Sequence, residues 1–271
     1  MEDIIEKLVD RTDLVWSKTR RTSGTAGSFL KAEEIVDGKK IYYKLSNYEM
    51  GKGVIGHECI NEIIADRLLT LFDIEHLHYK LIHMTISMNG ENTDTWVCAS
   101  EDFKKPGDSK LAMDTYYELE AEKCESPLEF CVRKGLEEYI YEMLAVDYLI
   151  LNRDRHGANI EMIKNKYDRT LRPAPLFDHG LSMILENDAA VEDYDISQAK
   201  KVQCFVGGSN PEDNIRLVPR DRLPKFRPFT ENDKAFLFAG LENAISTAFL
   251  EKTWEFLNYR RGLYENICNK K

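Results

Sequence analysis

The 271-residue sequence predicts an α+β chain of two lobes, with a site in the cleft between them. A β-rich lobe is expected over residues 1–105 and a mainly helical lobe over residues 106–271. Three observations carry this reading. The dipeptides Asp37-Gly38 and Asn89-Gly90 separate runs rich in β-branched and aromatic residues, the signature of tight hairpins. From about Lys110 onward apolar residues recur at helical spacing, most clearly over Leu136–Leu151. Between the two regimes lies a polar stretch with Pro106-Gly107, the composition of an interlobe linker.

In chain order, residues 2–10 place Ile4, Ile5, Leu8 and Val9 at helical spacing, which predicts a short helix. A run of small residues, Thr22–Ser28, follows. Strands are expected near Phe29–Val36 and Lys40–Leu45. In the second, Tyr42 and Lys44 share one face while Tyr43 and Leu45 share the other. A helix from about His57 to Phe72 buries Ile60, Ile63, Ile64, Leu68 and Leu71, and carries Glu58 and Glu62 on another face. A hairpin of Tyr79–Met88 and Thr95–Ala99 closes around Asn89-Gly90. Beyond the linker, the helix 136–151 runs into a polar loop ending at Gly157. A second hairpin is expected from Ile160–Met162 and Arg172–Phe177. Gly180–Ile184 reads as strand or turn. Residues 187–220, with Gly207-Gly208-Ser209-Asn210-Pro211, read as a long irregular segment facing the substrate. Two helices, about 231–246 and 247–267, end the chain.

The loop after the long helix reads Asn152-Arg153-Asp154-Arg155-His156-Gly157-Ala158-Asn159, and Phe177-Asp178-His179-Gly180 follows. An aspartate with an asparagine five positions on, then a second aspartate, is the residue order used for phosphoryl transfer. That reaction needs a carboxylate to orient the attacking hydroxyl and accept its proton, a role for Asp154. It needs oxygen ligands for Mg2+, a hard cation, for which Asn159 and Asp178 are the candidates. The hairpin between them would bring Asp178 back beside Asn159. His156 and His179 flank the site and are read as shaping their loops, with His156 also a candidate contact to the nucleotide. No helical His-x-x-x-His or paired cysteines argue for a transition metal there. Arg153 and Arg155 hold the loop, meet a phosphate, or are solvated.

The same chemistry assigns candidates upstream. Ser23, Gly24, Thr25, Ala26, Gly27 and Ser28 would let backbone amides approach the phosphates of ATP, or else form a glycine-containing hairpin turn. Lys44 would hold those phosphates, with Glu62, or else Glu58, fixing its direction. The backbone around Glu101 and Phe103 would receive the adenine edge, or else belongs to an ordinary surface loop.

Taken together, these residues resemble the HipA-like protein kinases, a bacterial family that includes toxin kinases of toxin–antitoxin pairs. The likeness rests on the loop 22–28, Lys44 in Tyr-Tyr-Lys-Leu, Asn61-Glu62, Asp154 to Asn159, and Pro175-Leu-Phe-Asp178. It runs in detail over about residues 20–180. The resemblance implies a two-lobed protein-kinase-like fold that transfers phosphate from ATP with Mg2+ to a Ser/Thr hydroxyl of a protein. It implies Asp154 as acid/base, Asn159 and Asp178 as Mg2+ ligands, and Lys44 as the phosphate-binding lysine. Some relatives phosphorylate a serine of their own glycine loop, which makes Ser23 and Ser28 candidate acceptors. The short N-terminal portion implies a form without the extra N-terminal subdomain of the longer toxins, absent or separately encoded. An antitoxin or that subdomain is the implied partner. Phe-Asp-His-Gly is also similar to the metal motif of phosphatidylinositol kinases. The alternatives are therefore a lipid or small-molecule kinase, or a nucleotide-binding pseudokinase or interaction module.

Composition narrows these. A net charge of −10 opposes direct binding to nucleic acid or anionic membrane. The six scattered cysteines, without a Cys-x-x-Cys pair, and an opening Met1-Glu2-Asp3 unlike a signal peptide give the expectation of a cytoplasmic protein.

Overall fold

The two Gly-containing turns do what their residue types demand. Asp37 and Gly38 have φ of 50° and 78°, and Asn89 and Gly90 have φ of 53° and 86°. Positive φ at both central positions gives the turn whose twist matches antiparallel strands. The structure, a computed structural model, describes residues 3–17, 29–185, 188–198 and 200–269. The candidate phosphate residues Ser23–Ser28 lie outside the described residues.

In chain order the strands are β1 (Ile4–Asp10), β2 (Lys31–Val36), β3 (Lys39–Leu45), β4 (Tyr48–Glu49), β5 (Gly53–Val54), β6 (Lys80–Met88), β7 (Glu91–Glu101), β8 (Asp108–Ala112), β9 (Asp154–Arg155), β10 (Glu161–Asn165), β11 (Leu171–Pro173) and β12 (Gln203–Cys204). The helices are α1 (Glu58–Leu71), α2 (Met113–Glu120), α3 (Pro127–Arg133), α4 (Glu137–Ile150), α5 (Pro211–Ile215), α6 (Glu231–Phe238) and α7 (Thr247–Asn269). The chain divides into two compact units. Unit 1 is Met1–Asp102, Ile184–Tyr194 and Thr230–Lys252; unit 2 is Phe103–Met183, Asp195–Phe229 and Thr253–Lys271.

Unit 1 is built on a five-stranded sheet of order β1-β6-β7-β3-β2. One face buries Tyr43, Leu45, Ile82, Met84, Ile86 and Val97 with Leu14. Helix α1 packs against β3, β6 and β7. Its Ile60, Ile63, Ile64 and Leu68 are at most 3% exposed, and such side chains contribute about 1.5–3 kcal/mol each on burial. Residues 4–10 form a strand, not the expected helix. Strand β1 pairs in parallel with β6, and its register slips between Ile5 and Val9. That irregularity breaks the period-2 pattern, so the apolar positions 4, 5, 8 and 9 imitate helical spacing.

The expected helix 231–246 stops at Phe238. Gly240 takes a left-handed φ of 75°, and the Arg67 guanidinium donates to the carbonyls of Leu237 and Ala239, both at 2.9 Å. Carbonyls at a helix end need such donors.

Unit 2 holds the helix α4, buried from Ile140 to Ile150 except Glu142. It also holds a three-stranded sheet of order β11-β10-β8. The expected β10–β11 hairpin forms, with Met162 opposite Pro173. The onset of helix near Lys110 is corrected: residues 108–112 are the strand β8, paired with β10. The span 187–220 is more ordered than expected, since β12 and α5 lie within it. Gly180–Ile184 is turn and bend.

Candidate active site

Helix α4 sets the geometry of the loop that follows it. Leu151 ends the helix in the left-handed region, at φ 51°. The chain turns there, and Asn152 N–H donates back to the Asp147 carbonyl at 2.9 Å. The Asn152 amide then reaches the Asp147 carboxylate at 3.0 Å. Its oxygen accepts from the backbone N–H of Asp154 at 3.2 Å.

Asp147 has a larger partner. Arg155 donates from Nε and Nη2 to the two Asp147 oxygens, both at 2.9 Å. Its remaining nitrogen, Nη1, donates to the Asn159 carbonyl at 2.9 Å and the Phe177 carbonyl at 2.8 Å. Arg155 is 1% exposed. Burial alone pulls the guanidinium pKa down, but Asp147 outweighs it and the net shift is upward. One buried side chain thus ties the catalytic-loop candidates to the segment carrying Asp178. From sequence alone Arg155 has three possible roles, and none of them involves Asp147. The sequence holds only a weak signal: Asp147, eight residues before Arg155, is the one charged residue among the buried positions of α4.

Asp154 is half-buried. Asn159 is buried, and its Nδ2 donates to the Asp154 carbonyl at 2.8 Å and to the Asp154 carboxylate at 3.4 Å. Gly157 begins a 3-10 turn through Asn159. His156 caps that turn, its Nδ1 accepting from Ala158 N–H at 3.2 Å. Its Nε2 lies 3.7 Å from the Asp154 carboxylate. A Cβ on Gly157 would meet the Asp114 backbone nitrogen at 2.9 Å and the Phe205 ring at 2.9 Å.

The segments after the loop lace against it. Arg153 N–H donates to the Leu181 carbonyl at 2.9 Å, and the Arg153 guanidinium to the Met183 carbonyl at 2.9 Å. Strand β12 runs parallel to β9, with Gln203 and Phe205 donating to the carbonyls of Arg153 and Arg155 at 2.9 and 2.8 Å. Asp178 itself has φ 60°. A left-handed non-glycine residue is uncommon, and Asp is among the types that tolerate it. The donor set of the Asn159 amide oxygen and the Asp178 carboxylate is all oxygen, which fits Mg2+.

In unit 1, Lys44 and Glu62 form a buried ion pair at 2.8 Å. Their side chains are 10% and 0% exposed. Glu58 instead accepts from the Asn47 backbone N–H at 2.9 Å. Beneath the pair, the Cys59 thiol donates to the Lys44 carbonyl at 3.2 Å. Lys44 and Tyr42 lie on the opposite face to Tyr43 and Leu45, as the alternation predicts. Glu101 ends β7 exposed, paired with Lys39 at 2.8 Å. Phe103, in unit 2, lies with its ring 6.1 Å from that of Phe177 and with the Lys110 ammonium 4.1 Å from its face. Among the described residues no helix is long and apolar enough to cross a membrane.

No family model matches the chain, and no curated protein matches it. Among solved structures it is similar to the proinflammatory kinase CtkA of Helicobacter pylori. That likeness has a TM-score of 0.66 and 14% identity, and covers 96% of each chain. It is also similar to HipA of the Shewanella oneidensis MR-1 toxin–antitoxin system, solved with HipB and operator DNA. There the TM-score is 0.45 at 14% identity, covering 91% of this chain and 68% of that one. The kinase-like α+β fold expected from the sequence is the fold this chain shares with CtkA.

Proposed function

We propose that the chain is a HipA-like kinase that moves the terminal phosphoryl group of ATP, with Mg2+, to a Ser/Thr hydroxyl of a protein. The observation that supports it most is the Arg155 clasp, which joins the carbonyls of Asn159 and Phe177 to one guanidinium. It brings the backbones that carry both metal-ligand candidates together, although they are far apart in sequence.

Asp154 orients the acceptor hydroxyl and takes its proton as the oxygen–phosphorus bond forms and the bond to ADP breaks. Asn159 holds Asp154 through its amide nitrogen and offers its oxygen, with the Asp178 carboxylate, to the metal. Bound Mg2+ would supply neutralisation of the charge developing on the phosphates. Lys44, its direction set by Glu62, holds phosphate oxygens. The resemblance extends the reading to Ser23 or Ser28 as an acceptor within the chain, and to an antitoxin-class partner, which co-expression pull-down tests.

Incubation of the protein with ATP and Mg2+, followed by mass spectrometry of the intact chain and its peptides, tests the proposal. An added 80 Da on a Ser or Thr peptide is expected, the mass of one phosphoryl group (about 80 Da) replacing a hydroxyl proton. Label found only in an added lipid extract would move the chain to the lipid-kinase alternative. Nucleotide binding without product would make it a pseudokinase.

A further inference from the structure

A second cluster of ligating groups lies in unit 1 and shares no residue with the site above. Asp66 stands on α1, one turn beyond Glu62. The chain leaves the helix, turns at Asp73 (φ 56°) and passes through His76-Leu77-His78 into β6. One ligand atom from each of Asp66, His76 and His78 lies within 4.8 Å of the others. His76 Nε2 is 2.8 Å and His78 Nδ1 is 3.1 Å from the same Asp66 oxygen.

The surroundings orient each ligand. His76 Nδ1 lies 2.6 Å from the Ile74 carbonyl. A carbonyl only accepts, so Nδ1 carries the hydrogen and Nε2 is left facing the cluster. A metal-binding histidine is commonly fixed in this way through its other nitrogen. The second Asp66 oxygen accepts the Tyr79 N–H at 2.6 Å. Asp66 and His76 are buried, whereas the His78 side chain is 74% exposed yet turned onto Asp66. The cluster therefore has a closed inner side and an outer side open to water.

We propose that Asp66, His76 and His78 form a binding site for a divalent transition ion of the zinc class, with water in the remaining position. Two imidazoles and a carboxylate suit zinc and its first-row neighbours, whereas Mg2+ prefers oxygen alone. Such an ion would fasten the last turns of α1, the helix of Glu62, to the segment that leads into β6.

The test uses the untagged full chain, stripped with EDTA, dialysed, and titrated with Zn2+ by calorimetry and with Co2+ by visible absorption. One ion per chain is expected, with a Co2+ d–d band and a rise in melting temperature. His78→Ala, an exposed position that leaves the fold intact, should lower affinity at least about tenfold and abolish the band. Exposed cysteines are the rival ligands, so Cys124→Ser with Cys268→Ser should leave binding unchanged. No binding at micromolar Zn2+, or binding that survives His78→Ala, would overturn the proposal and leave an imidazole–carboxylate hydrogen-bond cluster.

Discussion

Replacing Arg155 by lysine probes the clasp with the charge kept. The guanidinium makes four hydrogen bonds, two to Asp147 and one each to the carbonyls of Asn159 and Phe177. A lysine ammonium is a point donor and cannot span a bidentate carboxylate and two carbonyls on its far side. One or two charge-assisted bonds are lost in a site that is 1% exposed. At about 1.5–3 kcal/mol each, partly recovered by the ammonium, the loss is about 2–4 kcal/mol. Urea unfolding followed by far-UV circular dichroism measures it. Asp147→Ala should cost more, about 3–5 kcal/mol, because it leaves a buried cation uncompensated. Under conditions where Arg155→Lys is fully folded, its turnover should still fall by about 10²-fold, since small misplacements of reacting groups cost that much. An Arg155→Lys protein within about 0.5 kcal/mol of wild type and equally active would refute the clasp.

Three further outcomes follow from other parts of the chain. Lys44→Met removes the ammonium from Glu62, which is fully buried; unfolding should show a loss of about 3–5 kcal/mol, and an unchanged midpoint would contradict a paired interior. Gly157→Ala drives a methyl against the backbone of Asp114 and the Phe205 ring. It should destabilise by about 1–3 kcal/mol and lower turnover, and wild-type values for both would show that the turn has room. Glu125 is held down to about 2, first by its hydrogen bonds from Arg133, against an ordinary value of 4.5. An acid depressed in the folded state adds stability above its unfolded pKa and loses it as pH falls toward the folded one. Melting temperature should therefore drop between pH 4.5 and about 2, and less steeply in Glu125→Gln. Parallel curves for the two proteins would remove Glu125 from the account.

The local chemistry of the sequence carried much of this fold. Asp37-Gly38 and Asn89-Gly90 specify their turns through backbone sterics, which need no tertiary information. The face shared by Lys44 and Tyr42 follows from the two-residue period of a strand. Other features depend on partners distant in sequence. Strand β1 gains its identity from pairing with β6, and its bulge hides the period. Helix α6 ends where Arg67, far away in sequence, caps its carbonyls. For the proposed site, the order Asp154, Asn159, Asp178 can be singled out from the sequence because phosphoryl-transfer chemistry dictates residue types. Arg155 and Asp147 cannot, because a buried bidentate pair and a solvated arginine look alike in one sequence. His76 and His78 become neighbours of Asp66 only through the turn after α1.

The most direct test of the proposed reaction is single-turnover phosphoryl transfer from ATP by wild type and Asp154→Asn, each checked for folding and nucleotide binding. The substitution keeps shape and removes the proton acceptor. The account predicts intact nucleotide binding and transfer slowed by about 10²–10⁴-fold. Transfer at the wild-type rate in the folded variant would contradict it.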